Sequence, residues 1–313
     1  MREPRCGCGR QGAETPLASA RCSRGFETTA VDTGDAVITV RHAGAGPPVL
    51  LLHGFPQTSA MWHRIAPALA HDHTVVVADL RGYGDSSRPS AGADHAGYSF
   101  RAMAADQVAV MRALGHERFA LVGHDRGARV SHRLALDHPD AVTRLVLIDI
   151  LPTLHVYENV DRALATAYYH WFFYIQPEPV PETLIAADPT GYLHSLLGGW
   201  GSGLDAFDPA AVAEYERCFA DADARHAMLE DYRAGASVDL EHDRADLDRR
   251  VAAPSLVVWG GRGVVGNRPV DPLTVWRERI ADVRGAVVDA GHFLVEERPQ
   301  ESLDVLAAFL RDP

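Results

Sequence analysis

Short apolar runs with scarcely a polar residue inside them recur along this chain: Pro48–Leu52 (PVLLL), Thr74–Leu80 (TVVVADL), Phe119–Val122 (FALV), Arg144–Asp149 (RLVLID) and Ser255–Trp259 (SLVVW). A strand with one wet face alternates between apolar and polar residues; these do not, so both of their faces must be covered. Helical patterns fall between them, through Trp62, Ile65 and Leu69, over Phe100–Leu114 and on to residue 137. Ala36–Val40 and Ala286–Val288 read as further strands, with helices at 272–282 and 300–311. Strands and helices in this alternation predict an α/β fold, a mostly parallel central sheet flanked by helices.

The rhythm stops at Leu151-Pro152 and resumes near residue 251. Residues 152–250 carry aromatic and polar helical segments, such as 161–174 and 209–235, and no strand pattern. The expected organisation is a core of residues 26–151 and 251–313 with an inserted helical cap of residues 152–250. Residues 1–25 are rich in Arg, Gly and Ala and lack the apolar centre of a secretory signal, so a disordered N-terminal extension is expected there.

Within the alternation, Phe119–Val130 (FALVGHDRGARV) is the segment with the most chemical content. An apolar strand turns abruptly into a helix, with Gly123 and Gly127 placed two residues before and two after Asp125. That is the pattern of a nucleophile elbow, in which a strained turn lifts one side chain above the sheet. A solvated aspartate capping a helix would look the same in isolation. A carboxylate at the elbow cannot run serine-type acyl transfer; it attacks carbon and leaves an alkyl ester.

Such an ester needs a base to activate water. His292, in the Ala290-Gly291-His292-Phe293 turn after the last strand, stands out from the 16 histidines. Loops at the carboxyl edge of a parallel sheet are where catalytic groups collect. The imidazole in turn needs a carboxylate to orient it. The loop 259–267 (WGGRGVVGN) holds no Asp or Glu, whereas the earlier strand ends in Asp149, which elimination selects. The backbone N–H groups of Phe55 and Arg126 are placed to hold an oxyanion.

Bulk properties narrow the function classes. A net charge of −12 argues against nucleic acid or an anionic membrane as partner. No apolar run approaches the length of a bilayer span. All 30 basic residues are arginine, so Schiff-base, pyridoxal and phosphate-loop lysines are excluded. Gly82-Tyr83-Gly84 lacks the third glycine of a dinucleotide fingerprint, and no metal motif is present, so no cofactor is expected. Cys6, Cys8, Cys22 and Cys218 do not make a disulfide framework, which fits a reducing cytoplasm.

The stretches HGFPQTSAMWHRIAPALA, ADLRGYGDSSRP and GHDRGARVSHRLALDHP resemble the fluoroacetate dehalogenase family of the α/β-hydrolase superfamily. From about residue 26 onward the series GHDRGAR, LIDILPT, HWFF, DYRAGA and GHF extends the likeness through the cap. The resemblance implies an α/β-hydrolase fold with a helical cap, a homodimer, and hydrolysis of a small-molecule haloacid substrate to a hydroxy acid and halide. It makes Asp125 the nucleophile, Asp149 the acid and His292 the base. Arg126 and Arg129 would hold the substrate carboxylate, and His170, Trp171 and Tyr232 would surround the halide. These residue types suit such chemistry, since guanidinium forks match a carboxylate, and ring N–H and phenol O–H donors replace water around a departing fluoride. Phe55 and Trp200 are expected at the pocket wall, although the glycine-rich Leu196–Gly203 around Trp200 departs from the family.

Two other functions remain open on the sequence. An epoxide hydrolase would share nucleophile and base but needs two cap phenols, of which Tyr232 could be one; the other would fall in 168–174, where Trp171 is expected to face the site with Tyr168, Tyr169 and Tyr174 nearby. A non-catalytic binding protein of the same fold would have no use for Asp125, Asp149 and His292 together.

Overall fold

The computed structural model describes residues 25–312. Apart from Gly25, the expected N-terminal extension therefore lies outside the described residues. The strands are β1 (Glu27–Asp32), β2 (Val37–Ala43), β3 (Pro48–Leu52), β4 (Thr74–Ala78), β5 (Phe119–His124), β6 (Val142–Ile148), β7 (Ser255–Gly260) and β8 (Val283–Val288). They form one 8-stranded sheet in the order β1-β2-β4-β3-β5-β6-β7-β8. The β1–β2 and β2–β4 pairs are antiparallel and the remaining pairs parallel. Val49 to Leu52 and Leu145 to Leu147 have no exposed surface, as unbroken apolar runs require. The fold is the α/β-hydrolase fold.

Helices α1 (Ala66–Leu69), α2 (Phe100–Ala113) and α3 (Arg126–Asp137) follow β3, β4 and β5. Between β6 and β7 come α4 (Thr153–Glu158), α5 (Arg162–Ala167), α6 (Tyr169–Tyr174), α7 (Val180–Ala186), α8 (Pro189–Gly199), α9 (Pro209–Ala220), α10 (Ala222–Gly235) and α11 (Val238–Ala245). The chain closes with α12 (Pro272–Trp276), α13 (Leu294–Glu297) and α14 (Pro299–Arg311). No helix among the described residues is long and apolar enough to cross a membrane.

Four elements differ from the expectation, one of them the 161–174 segment, which breaks at Tyr168 into α5 and α6. β1 was not expected: ETTAVD is a largely exposed edge strand whose weak apolar signal only pairing with β2 supports. The helix expected over 272–282 stops at Trp276, because Ile280 is drawn into a parallel bridge with Val251 and the Trp276 indole donates to the Ile150 carbonyl at 3.0 Å. The segment expected as one helix over 209–235 breaks at Asp221, whose extended backbone lets its carboxylate cap the Asp223 N–H and start α10.

Candidate active site

The elbow is built by close approach. A Cβ on Gly123 would lie 2.4 Å from the Gly127 carbonyl oxygen, and one on Gly127 would lie 2.3 Å from that of His53. Those glycines let α3 fold back onto β5 and β3, and the strain falls on Asp125 itself, at φ 46° and ψ −113°. The carboxylate then faces the loop after β3, where the Phe55 N–H donates to Asp125 Oδ1 at 2.9 Å. Gly54 has no room for a side chain either: its Cβ would meet Asp125 Cβ at 2.5 Å. Burial alone would raise the Asp125 pKa, but the charges of His292 and Arg129 outweigh it and hold the group at about 2.

Asp149 follows β6, also at positive φ, 53°. Its Oδ1 accepts the Gly260 N–H at 3.0 Å and its Oδ2 accepts His292 Nδ1–H at 2.7 Å. The opposite ring nitrogen, Nε2, then faces Asp125 Oδ2 at 4.0 Å. That separation is longer than a direct hydrogen bond. Burial lowers the His292 pKa, yet the Asp149 hydrogen bond and charge more than compensate, so it lies above the usual histidine range. The base is fixed at its backbone as well. Its N–H donates to the Trp200 carbonyl at 2.8 Å, and its carbonyl accepts His124 Nε2–H at 2.9 Å.

Asp125, Asp149 and His292 line one cavity of about 20 Å³ together with His170, Trp171 and Trp200, so core and helical insertion both contribute walls. That is room for about one water molecule. His170 is buried against Trp200 with ring centroids 4.3 Å apart, and its Nδ1 has no hydrogen-bond partner among the described residues. Burial drives its pKa down to about 3, so the imidazole is neutral and one nitrogen carries a hydrogen to donate.

Phe55, Arg126, Arg129 and Tyr232 are not among the residues that line this cavity but pack around it. The Arg129 guanidinium lies 4.5 Å above the Trp171 ring; Nη1 donates to the Leu151 carbonyl and to Thr153 Oγ1, and Nε is buried without a partner among the described residues. Arg126 is differently placed. Its guanidinium grips Asp231 through Nε at 2.8 Å and through Nη2, and is sandwiched between Phe100 and Tyr232 at 4.7 and 4.4 Å. The two arginines expected to act as a matched pair are thus inequivalent, because one fork is already filled by a carboxylate of the chain. Tyr232 packs 6.0 Å from the His170 ring and 5.3 Å from the Phe55 ring.

Tyr168, one of the phenols expected near the site, lines the cavity beside Trp171; sequence reasoning passed over Val264, which also lines it, and His124 and Asp231, which brace it. His124 and Asp231 adjoin Asp125 and Tyr232 in the chain, a proximity that could have flagged them. Val264 lies in a glycine-rich loop with no signal of its own. Among the described residues no group of three or more His, Cys, Asp or Glu is arranged to hold a metal ion.

A strained carboxylate on an elbow, met by a histidine–aspartate pair at the carboxyl edge of a parallel sheet, is the arrangement of an α/β hydrolase. The family profile described as alpha/beta hydrolase fold matches residues 47–299. Fluoroacetate dehalogenase from Burkholderia sp is 50% identical over 289 residues, 92% of this chain and 95% of the relative. Soluble epoxide hydrolase from Corynebacterium sp. (strain C12) is 33% identical over 85% of this chain and 91% of its own. A crystal structure from Nostoc sp PCC 7120, described as an alpha/beta hydrolase, superposes with a TM-score of 0.90 at 55% identity, covering 92% of this chain and 99% of the other. The chain belongs to the α/β-hydrolase fold family, in the branch that contains fluoroacetate dehalogenase.

Proposed function

We propose that this chain hydrolyses short 2-haloacids, converting a haloacetate to glycolate and halide through an ester on Asp125. An Asp125 oxygen attacks the α-carbon in line with the carbon–halogen bond, and the halide leaves with the bonding pair. Arg129 holds the substrate carboxylate, its Nε, unpartnered among the described residues, and its place over Trp171 supporting that role, while Arg126 braces Asp231 and Tyr232 beside it. His170, Trp171 and Tyr232 donate hydrogen bonds to the departing halide, which an enclosed cavity makes stronger than the same bonds in water. His292, neutral and oriented by Asp149, takes a proton from water as it attacks the ester carbonyl. The Phe55 N–H meets the resulting oxyanion; collapse breaks the acyl C–O bond, the departing glycolate oxygen takes the proton from His292, and Asp125 is returned with a solvent oxygen.

The observation that carries this reading is an ionised, buried Asp125 in a small cavity that also holds the Asp149–His292 pair and the neutral His170. The 50% identity to a fluoroacetate dehalogenase supports the substrate class. Residues 152–250 act as the cap that excludes water, and a cytoplasmic homodimer is part of the same proposal. A second reading, epoxide hydrolysis, has a specific attraction in the Tyr168 phenol at the cavity wall. A fluoride electrode and ion chromatography with fluoroacetate, chloroacetate and styrene oxide decide between them. Halide release from the acids supports dehalogenation; diol from the epoxide with no halide from either acid hands the site to the second reading.

A further inference from the structure

The cavity around Asp125 adjoins a larger space. Val264 lines it from within and also lines a surface groove of about 330 Å³ between α5 and the loop 261–269. On the opposite wall, consecutive residues divide the same way: Tyr168 lines the cavity, while Ala167 and Leu164 line the groove. Gly263, on the groove's inner side, is close enough to the site that a Cβ there would sit 3.5 Å from Asp149 Oδ2. A single layer of residues separates the groove from the catalytic carboxylates.

The charges of the groove are arranged across it. Arg268, on the loop, donates from Nη1 to both Asp161 oxygens at 3.0 and 3.1 Å, and Asp161 also caps α5 by accepting the Leu164 N–H at 2.7 Å. One ion pair therefore bridges the helix and the loop. Its carboxylate partner is half exposed, and such pairs are weak and readily exchanged. Arg262 adds a second cation on the loop side, paired with the exposed Asp289 at 3.1 Å. In a chain of net charge −12, an anionic substrate is repelled by the molecule as a whole and needs a locally positive approach.

We propose that this groove is the passage by which the haloacid reaches Asp125, and that Arg268 receives the incoming carboxylate in exchange for Asp161. The exchange frees α5 from the loop, so the gap between Ala167 and Val264 widens as the substrate arrives. Arg129 inside the site is the next cation the carboxylate meets. This inference rests on the haloacid reading above and adds to it a route and a pair of residues that set the rate of approach.

The test is kcat/KM for chloroacetate at low and high NaCl in Arg268→Gln, Asp161→Asn and Ala163→Trp, with thermal melts to show that each variant folds. Asparagine still caps α5, and Ala163 is an exposed groove residue, so neither change touches the catalytic groups. Arg268→Gln should lower kcat/KM about ten-fold at low salt and flatten its salt dependence, within the range that charge steering produces. Asp161→Asn should leave kcat/KM unchanged or raise it, and Ala163→Trp should lower it by obstructing the groove. If the pair merely held α5 in place, both of its substitutions would lose activity alike. Equal losses in that pair, or an unimpaired Ala163→Trp variant, would overturn the passage while wild-type turnover left the functional reading standing. A wild-type protein inert toward every haloacid would overturn that reading and this one with it.

Discussion

Asp125 and His292 sit on opposite sides of their ordinary pKa values, and that separates the two proposed chemical steps by pH. Asp125, held at about 2, is ionised throughout the working range, so ester formation does not require a base. His292 must be neutral to accept a proton, and its raised pKa means that neutrality is lost as pH falls through a value above the usual histidine figure of about 6.5. Halide release in the first turnover should therefore persist to lower pH than steady turnover. Rapid-quench measurements near pH 6 should show a burst of halide followed by a slow phase, and a single phase there would contradict the assignment. The inequivalence of the arginines gives a second expectation: Arg129→Met should cost about 10²-fold on haloacids, the scale of a lost charge-assisted pair, and far less on uncharged haloesters. Equal losses on both substrates would refute Arg129 as the carboxylate anchor. Much at this scale was legible in the sequence, since Gly123, Asp125 and Gly127 announce the elbow and Asp149 and His292 end or follow apolar strands. What was hidden was pairing: nothing in the spacing of Arg126 and Arg129 reveals that Asp231, on α10, fills one guanidinium and not the other.

At the scale of elements, the glycine-rich turn around Trp200 proves to be a contact surface. Gly291 and Gly201 meet so closely that a Cβ on Gly291 would lie 2.4 Å from the Gly201 Cα, and one on Gly201 would lie 2.5 Å from Glu297 Oε1. Glu297 in turn accepts the Gly291 N–H at 2.9 Å and the Phe293 N–H at 3.1 Å, closing the loop that carries His292. Gly291→Ala should push the Trp200 turn from that loop and weaken the His292 N–H to Trp200 carbonyl bond. The expected cost is about 1–3 kcal/mol in urea unfolding, with a larger proportional fall in kcat than in KM. Wild-type stability together with wild-type kcat would rule out this role for the contact. The sequence showed the glycines but not their reason, because close approach between segments far apart in the chain leaves no local pattern. Likewise ETTAVD gave too little apolar signal to mark β1, and the tertiary bridge at Ile280 overrode the helical pattern after Trp276.

Across the whole molecule, Glu296 joins the sheet side to the helical insertion. It is buried on α13, its Oε1 accepting the Tyr215 O–H of α9 at 2.6 Å and the Gln57 Nε2–H at 3.4 Å, while the His63 ring stands 3.9 Å from Oε2. Burial pushes its pKa up to about 8 against the Tyr215 hydrogen bond. The folded chain thus keeps a proton that the unfolded chain, with an ordinary value of about 4.3, releases. The folded state binds more protons across that window, so this residue's contribution to stability declines as pH rises from the unfolded value toward the folded one, then levels off. Glu296→Gln, which stays neutral, should remove that decline and stabilise the protein above the window, on the order of a few kcal/mol. Denaturant midpoints for variant and wild type that run parallel with pH would contradict it. The alternation of apolar strands and helices made the sheet and the inserted helices legible at this scale, but a protonated carboxylic acid at their junction could be found only by assembling them. The proposed chemistry depends throughout on Asp125 becoming an ester and being regenerated by water. The direct measurement is mass analysis of the Asp125 peptide after many turnovers of chloroacetate in oxygen-18 water. Incorporation of solvent oxygen into the Asp125 carboxylate is the expected result; an unlabelled peptide alongside labelled glycolate would mean that water attacks the substrate itself, and that Asp125 is not the nucleophile.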